Sequence, residues 1–209
     1  MSAKDLIRHY LSQCPLIAIV RGIRPEDSEA IGEAIERSGI RIIEVPLNSP
    51  EPLRTIKLLA EKFGDQLLVG AGTVLDPEQV ARVKDAGGRI IVSPDTNEEV
   101  IRASAAAGLV SCPGFFTPTE AFKAIRAGAN VLKLFPAEAA TPAVLGAQLA
   151  VLPKDVPILI VGGIRPETMR PWTDSGASGF GLGGGLYRPG QSAEETLDKA
   201  RAYVAALQQ

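Results

Sequence analysis

The chain has 209 residues, is 45% hydrophobic and 22% charged, and carries a formal net charge of −2 with a single histidine. Its pI near 5.6 and scattered charges exclude the basic stripe of a nucleic-acid binder. No apolar run approaches the ~18 to 20 residues of a membrane helix, and MSAKDLIRHYLSQ has no signal-peptide core, so a cytoplasmic globular chain with a small-molecule partner is expected.

The N-terminal stretch 3–12 predicts a short helix, followed by eight Val/Ile/Leu-rich runs at 16–21, 41–47, 68–74, 90–93, 109–113, 131–135, 158–161 and 180–182. Each run leads through a polar or glycine turn into a stretch of helical periodicity, and the runs recur at intervals of some two dozen residues. Ser49-Pro50, Asp76-Pro77, Thr117-Pro118 and Thr141-Pro142 each pair an N-cap residue with proline at the first helical position. A last helix is expected over 193–207. Continuous apolar strands alternating with helices give a parallel sheet covered by helices. Eight such units predict a closed (β/α)8 barrel, one α/β domain over 1–209, with the N-terminal helix plugging its floor. Cys14 and Cys112 read as small buried hydrophobes, and one histidine, His9, is too few for the usual catalytic zinc site.

A barrel of this kind places its chemistry at the carboxyl ends of the strands. There the sequence supplies Arg21, Glu44, Thr73, Ser93, Lys133 and the glycine pairs Gly162-Gly163 and Gly183-Gly184. Lys133 is the one lysine inside an apolar strand, between Val131, Leu132, Leu134 and Phe135. Desolvation lowers a lysine's pKa and leaves a neutral amine able to attack a carbonyl. Glu44 is likewise the one carboxylate in a strand core, and it is the candidate proton carrier. The residues alone leave open a buried Lys-Glu ion pair that only specifies the fold. The glycines after the seventh and eighth runs, each read as leading into a helix, suit a phosphate held by backbone amides and helix dipoles, or else simple tight turns. Arg21 and Thr73 are candidates for holding a carboxylate or hydroxyls, with a salt bridge from Arg21 to Glu44 and a turn-capping hydroxyl as the alternatives.

The strings RGI, IEVPLNSP, VGAGTVLDPEQV, SCPG, TEAF, LKLFP, VGGI and LYRPGQS, in that order over 15–192, resemble the class I 2-dehydro-3-deoxy-phosphogluconate/phosphogalactonate aldolase family. The resemblance implies a trimeric (β/α)8 barrel that cleaves a six-carbon 2-keto-3-deoxy-6-phospho sugar acid into pyruvate and glyceraldehyde 3-phosphate, with no metal or other cofactor. It implies that Lys133 is the Schiff-base lysine and Glu44 the acid/base. Arg21 and Thr73 then contact the pyruvate portion, while Gly162, Gly163, Gly183 and Gly184 cradle the phosphate. EVPLNSP, Val161 and LYRPGQS resemble the phosphogalactonate branch. The phosphogluconate branch has threonine before the two glycines, so Val161 is the expected reader of the C4 stereocentre. Gly184 stands where the phosphogalactonate branch often has serine, Phe115-Phe116 also differs from it, and Ala137-Glu138 is closer to the phosphogluconate branch. The alternatives are the C4-epimer or 4-hydroxy-2-oxoglutarate aldolase, a sugar-phosphate isomerase or epimerase, and a non-catalytic phosphosugar sensor, because a barrel hosts many chemistries.

Overall fold

The strand periodicity builds a ring. In the computed structural model, which describes residues 1–207, the strands are β1 (Leu16–Ile19), β2 (Ile42–Pro46), β3 (Leu68–Gly72), β4 (Ile90–Val92), β5 (Val110–Cys112), β6 (Gly114–Phe115), β7 (Leu132–Leu134), β8 (Ile158–Val161) and β9 (Gly179–Leu182). They pair in parallel in the order β5-β4-β3-β2-β1-β9-β8-β7-β6. The two ends of this sheet are consecutive in the chain. The run expected at 109–113 is a strand only over β5; past Pro113, which has no N–H to give to a ladder, the same strand position resumes as β6, beyond the expected bounds. Backbone bonds still close the ring there: Val131 N–H donates to the Ser111 carbonyl at 3.3 Å, Lys133 N–H to Pro113 at 3.0 Å and Phe135 N–H to Phe115 at 3.1 Å. The architecture is the expected TIM-like α/β barrel, with one strand position divided in two.

Nine α-helices occur among the described residues: α1 (Ala3–Gln13), α2 (Pro25–Ser38), α3 (Pro52–Phe63), α4 (Pro77–Asp85), α5 (Glu98–Ala106), α6 (Pro118–Ala127), α7 (Pro142–Leu149), α8 (Met169–Asp174) and α9 (Ala193–Ala206). None is long and apolar enough to cross a membrane. Asp76, Thr117 and Thr141 cap α4, α6 and α7 as expected, each accepting from a backbone N–H of the first turn. Ser49 does not cap α3. That helix starts at Pro52 behind Glu51, whose φ is 40°, because the buried Ser49 hydroxyl is already committed: it accepts from Gly22 N–H at 2.9 Å and ties the β2 loop to the β1 loop.

Alternation along the strands separates two cores. Leu16, Ala18, Ile43, Val45, Leu132 and Leu134 face the helices. Ile17, Ile19, Ile42, Leu68, Ile90, Val110, Val131 and Leu159 fill the barrel together with Ile7, Tyr10 and Leu11 of α1, which closes the floor. Tyr10 keeps its hydroxyl satisfied there by donating to the Asp65 carbonyl at 2.6 Å. Cys14 and Cys112 are free and buried, one in each core. The same period of two decides the site. Counting upward from Val131 and Ile42, the next inward positions are Lys133 and Glu44, so both are aimed into the ring above the apolar floor.

Candidate active site

Lys133 and Glu44 are both buried side chains on the inner wall of the barrel. Lys133 is 7% exposed and Glu44 2% exposed. Burial pushes the Lys133 ammonium below the ordinary lysine range, opposed by the negative field of Glu44 and reinforced by Arg21. Burial raises the Glu44 carboxyl to about 7, with Lys133 and then Arg21 pulling the other way. Among the described residues no ion pair within 4.0 Å joins the two, and Glu44 Oε2 has no hydrogen-bond partner. They therefore act on each other through space without closing the structural ion pair that the sequence left open. The Lys133 Nζ instead lies 4.7 Å from the centre of the Phe135 ring. Cys112, whose thiol is pushed up to about 12 by burial, stays neutral beside them.

Gly72 makes the room for Glu44. A Cβ there would fall inside the Glu44 carboxylate, so Gly72→Ala is expected to displace that group, lower turnover at least about tenfold and destabilise the fold by about 1–3 kcal/mol. Steady-state rates and a denaturant melt on the purified variant check both effects.

The next two residues pair as a clamp. Arg21 Nη1 donates to Asn48 Oδ1 at 2.5 Å and its Nη2 to Thr73 Oγ1 at 3.4 Å. The guanidinium is held by these neutral acceptors and not by a salt bridge to Glu44. Thr73 is not a plain turn cap either: its φ of 55° is an unusual conformation for a β-branched residue, and it turns the hydroxyl toward Arg21.

The glycine turns are closer to bare backbone than the sequence suggested. Gly162 and Gly163 have φ of 115° and 63° and lead only to a short 3-10 turn (Pro166–Thr168) and then α8. No helix directly follows β9. Residues 183–187 instead form a single turn in which Leu186 and Tyr187 N–H both donate to the Gly183 carbonyl, at 2.9 and 3.0 Å, and α9 begins only at Ala193. The helix dipole expected after this strand is absent, because the turn ends before a helix can propagate. What the turns offer are amides: among the described residues the N–H groups of Gly163, Gly184 and Gly185 donate no backbone hydrogen bond. Such groups suit an anion.

A cavity of about 380 Å³ at the carboxyl ends of the strands brings together Arg21, Glu44, Thr73, Lys133, Val161, Gly162, Gly163, Gly183 and Gly184, but not Ser93, which is buried with its hydroxyl donating to the Val74 carbonyl at 2.7 Å. It also contains two charged residues that the sequence reading did not place there, Glu138 and Arg188. Arg188 Nε donates to the Gly184 carbonyl at 3.2 Å, which fixes a cation at the rim of the second glycine turn. Its signal was present in LYRPGQS, but a loop residue with no strand periodicity gives no direction. Size and lining suit a small phosphorylated acid.

Comparison with known proteins agrees with this chemistry. Residues 7–200 match the family model for KDPG and KHG aldolase. The chain is 45% identical to the 2-dehydro-3-deoxy-6-phosphogalactonate aldolase of Escherichia coli K12 over 200 residues, 96% of this chain and 98% of that one. It is similar to a native KDPGal structure, with a TM-score of 0.92 and 45% identity over 94% of this chain and 95% of that one. It is also similar to a cube-shaped protein cage designed by fusing symmetric oligomeric domains, with a TM-score of 0.91 and 46% identity over 93% of this chain and 72% of the cage chain.

Proposed function

The chain belongs to the KDPG and KHG aldolase family, and from that premise we propose how its cavity carries out the reaction of an aldehyde-lyase. The substrate is 2-dehydro-3-deoxy-6-phospho-D-galactonate and the products are pyruvate and D-glyceraldehyde 3-phosphate. The observation that carries the reading is a desolvated lysine with a lowered pKa facing a buried carboxyl held at about 7.

The neutral Lys133 amine adds to the C2 ketone, and loss of water gives an iminium. Glu44 removes the C4 hydroxyl proton, directly or through water, as the C3–C4 bond breaks. The bonding pair moves into the iminium to leave an enamine of pyruvate on Lys133, while C4 departs as the aldehyde carbon. Glu44 returns its proton to C3, and water then hydrolyses the new iminium to release pyruvate and regenerate the amine. A carboxyl near pKa 7 suits both transfers because it gives and takes a proton at neutral pH with little bias. Arg21 and Thr73 hold the C1 carboxylate, the guanidinium already oriented by Asn48. The amides of the glycine turns and Arg188 receive the phosphate.

Val161 sets the C4 preference. Its side chain lines the cavity beside Gly162 and offers no hydrogen bond, which disfavours the epimer whose C4 hydroxyl points at it. Pyruvate release from the 6-phosphogalactonate compound and from its C4 epimer, side by side, tests the assignment: faster release from the former is expected. Val161→Thr is expected to move the ratio toward the epimer by about tenfold. A wild-type preference for the gluconate compound overturns the substrate while sparing the lysine chemistry, and no release from either overturns the lyase. The same proposal takes residues 1–209 as one barrel domain that works in the cytoplasm as a homotrimer, and the similarity to a cage of fused symmetric oligomeric domains supports an oligomer.

A further inference from the structure

Glu138 is a carboxylate in a cavity built for a doubly anionic substrate. It stands on the short turn Ala137–Ala139, immediately beyond the strand that carries Lys133. Its side chain leans across to the other glycine-bearing strand end: a Cβ on Gly162 would collide with Glu138 Oε2, and one on Gly163 would lie 2.7 Å from Glu138 Cγ. Two consecutive residues thus forgo side chains where this carboxylate lies. The side chain is exposed at the open side of the cavity, and its carboxylate makes no hydrogen bond or ion pair to any described residue. An unpartnered acceptor that repels phosphate and carboxylate has one favourable kind of partner in such a substrate, a hydroxyl.

The order of groups along the cavity says which hydroxyl. Lys133 engages C2, Val161 stands against C4, and the glycine amides with Arg188 take the phosphate on C6. Glu138 packs over Gly162 and Gly163, which follow Val161 directly and are themselves part of the phosphate cradle, so it stands between C4 and the phosphate on C6. We propose that Glu138 accepts a hydrogen bond from the C5 hydroxyl, and so selects the hydroxylated aldehyde half of the substrate. This rests on the aldolase reading above. It makes Glu138 a specificity-determining residue that takes no part in forming the Schiff base.

The reaction run toward condensation tests it. Pyruvate is offered D-glyceraldehyde 3-phosphate, whose 2-hydroxyl becomes the C5 hydroxyl, or 3-oxopropyl phosphate, which lacks that group and keeps the phosphate. Wild type is expected to prefer the hydroxylated aldehyde in kcat/KM. Glu138→Ala is expected to lose at least about tenfold of that preference, all of it on the hydroxylated aldehyde, the size of one hydrogen bond to a charged acceptor. Glu138→Gln, which keeps an acceptor oxygen, recovers part of it. Borohydride trapping of pyruvate by both variants confirms a folded barrel. An equal loss on both aldehydes, an equal gain on both from relieved repulsion of phosphate, or an unchanged ratio overturns the role of Glu138. Failure of the wild type itself to trap pyruvate overturns the aldolase reading and this inference together, and is told apart by that arm alone.

Discussion

Replacing Lys133 with methionine is expected to abolish both pyruvate release and the borohydride-stable pyruvate adduct, a fall of roughly 10⁴-fold or more in kcat/KM. The expectation is this large because no other amine is in place to substitute: among the described residues Lys133 is the single lysine lining the cavity. Methionine has a similar length and tolerates an irregular apolar site, so it should pack beside Phe135 and Val131 without a hole. It also removes a buried cation that nothing contacts as an ion pair. The variant should therefore melt no lower than wild type, which separates a chemical defect from an unfolded one. Loss of the Lys133 field should raise the Glu44 pKa beyond about 7, since that field is the larger of the two now holding it down. Lys133→Arg should also be inactive, because a guanidinium stays protonated and offers no lone pair. The measurements are a coupled assay for pyruvate, intact mass after borohydride reduction with pyruvate, and a thermal melt. Cleavage at the wild-type rate by the methionine variant would leave the covalent mechanism without a nucleophile and return weight to isomerisation.

Most of this site was legible because it is written along strands. A strand position tells which face a side chain takes once its neighbours are known, and Val131, Lys133 and Phe135 form one inward row between Leu132 and Leu134, which face the helices. Ile42 and Glu44 follow the same rule. What was misread lies where sequence-local chemistry competes with a partner far along the chain. Ser49 has the composition of a helix cap, yet Gly22, 27 residues away, takes its hydroxyl. The glycines after β9 look like a helix entry, but Leu186 and Tyr187 fold back on Gly183 and end the turn. The apolar run stops at Pro113, yet the strand position resumes beyond it at Gly114–Phe115, where a glycine gives no strand signal. Glu138 was out of reach for a further reason: its meaning comes from the empty space over Gly162 and Gly163, which exists only once β7 and β8 lie side by side. No periodicity within either segment encodes that contact.

Glu44→Gln is expected to separate the two halves of the chemistry. The amide keeps the shape of the side chain above Gly72 but cannot carry a proton, so cleavage should fall by about 10²- to 10⁴-fold. Schiff-base formation with pyruvate needs only the Lys133 amine, and trapping should persist at a reduced rate. In wild type, kcat/KM for cleavage should rise with pH and level off above about 7, as the buried carboxyl ionises and becomes a base. The glutamine variant should lack that limb. Stability should carry the complementary sign. An unfolded glutamate ionises near 4.5 and the folded one near 7, so between these values the folded chain holds more protons than the unfolded chain. The contribution of Glu44 is therefore fully present below about pH 4.5 and is lost as pH rises through about 7, a swing of roughly 3 kcal/mol. Melts of both proteins across this window should converge at the acidic end, with glutamine the more stable at neutral pH. A wild-type cleavage profile without a limb near 7, or one that glutamine leaves intact, would assign the proton transfer to another group. Loss of trapping along with cleavage in a folded variant would instead place Glu44 in the formation of the iminium. On the proposed mechanism, the buried carboxylate without an ion pair is thus a stability cost at the same pH at which it serves Lys133 as a base.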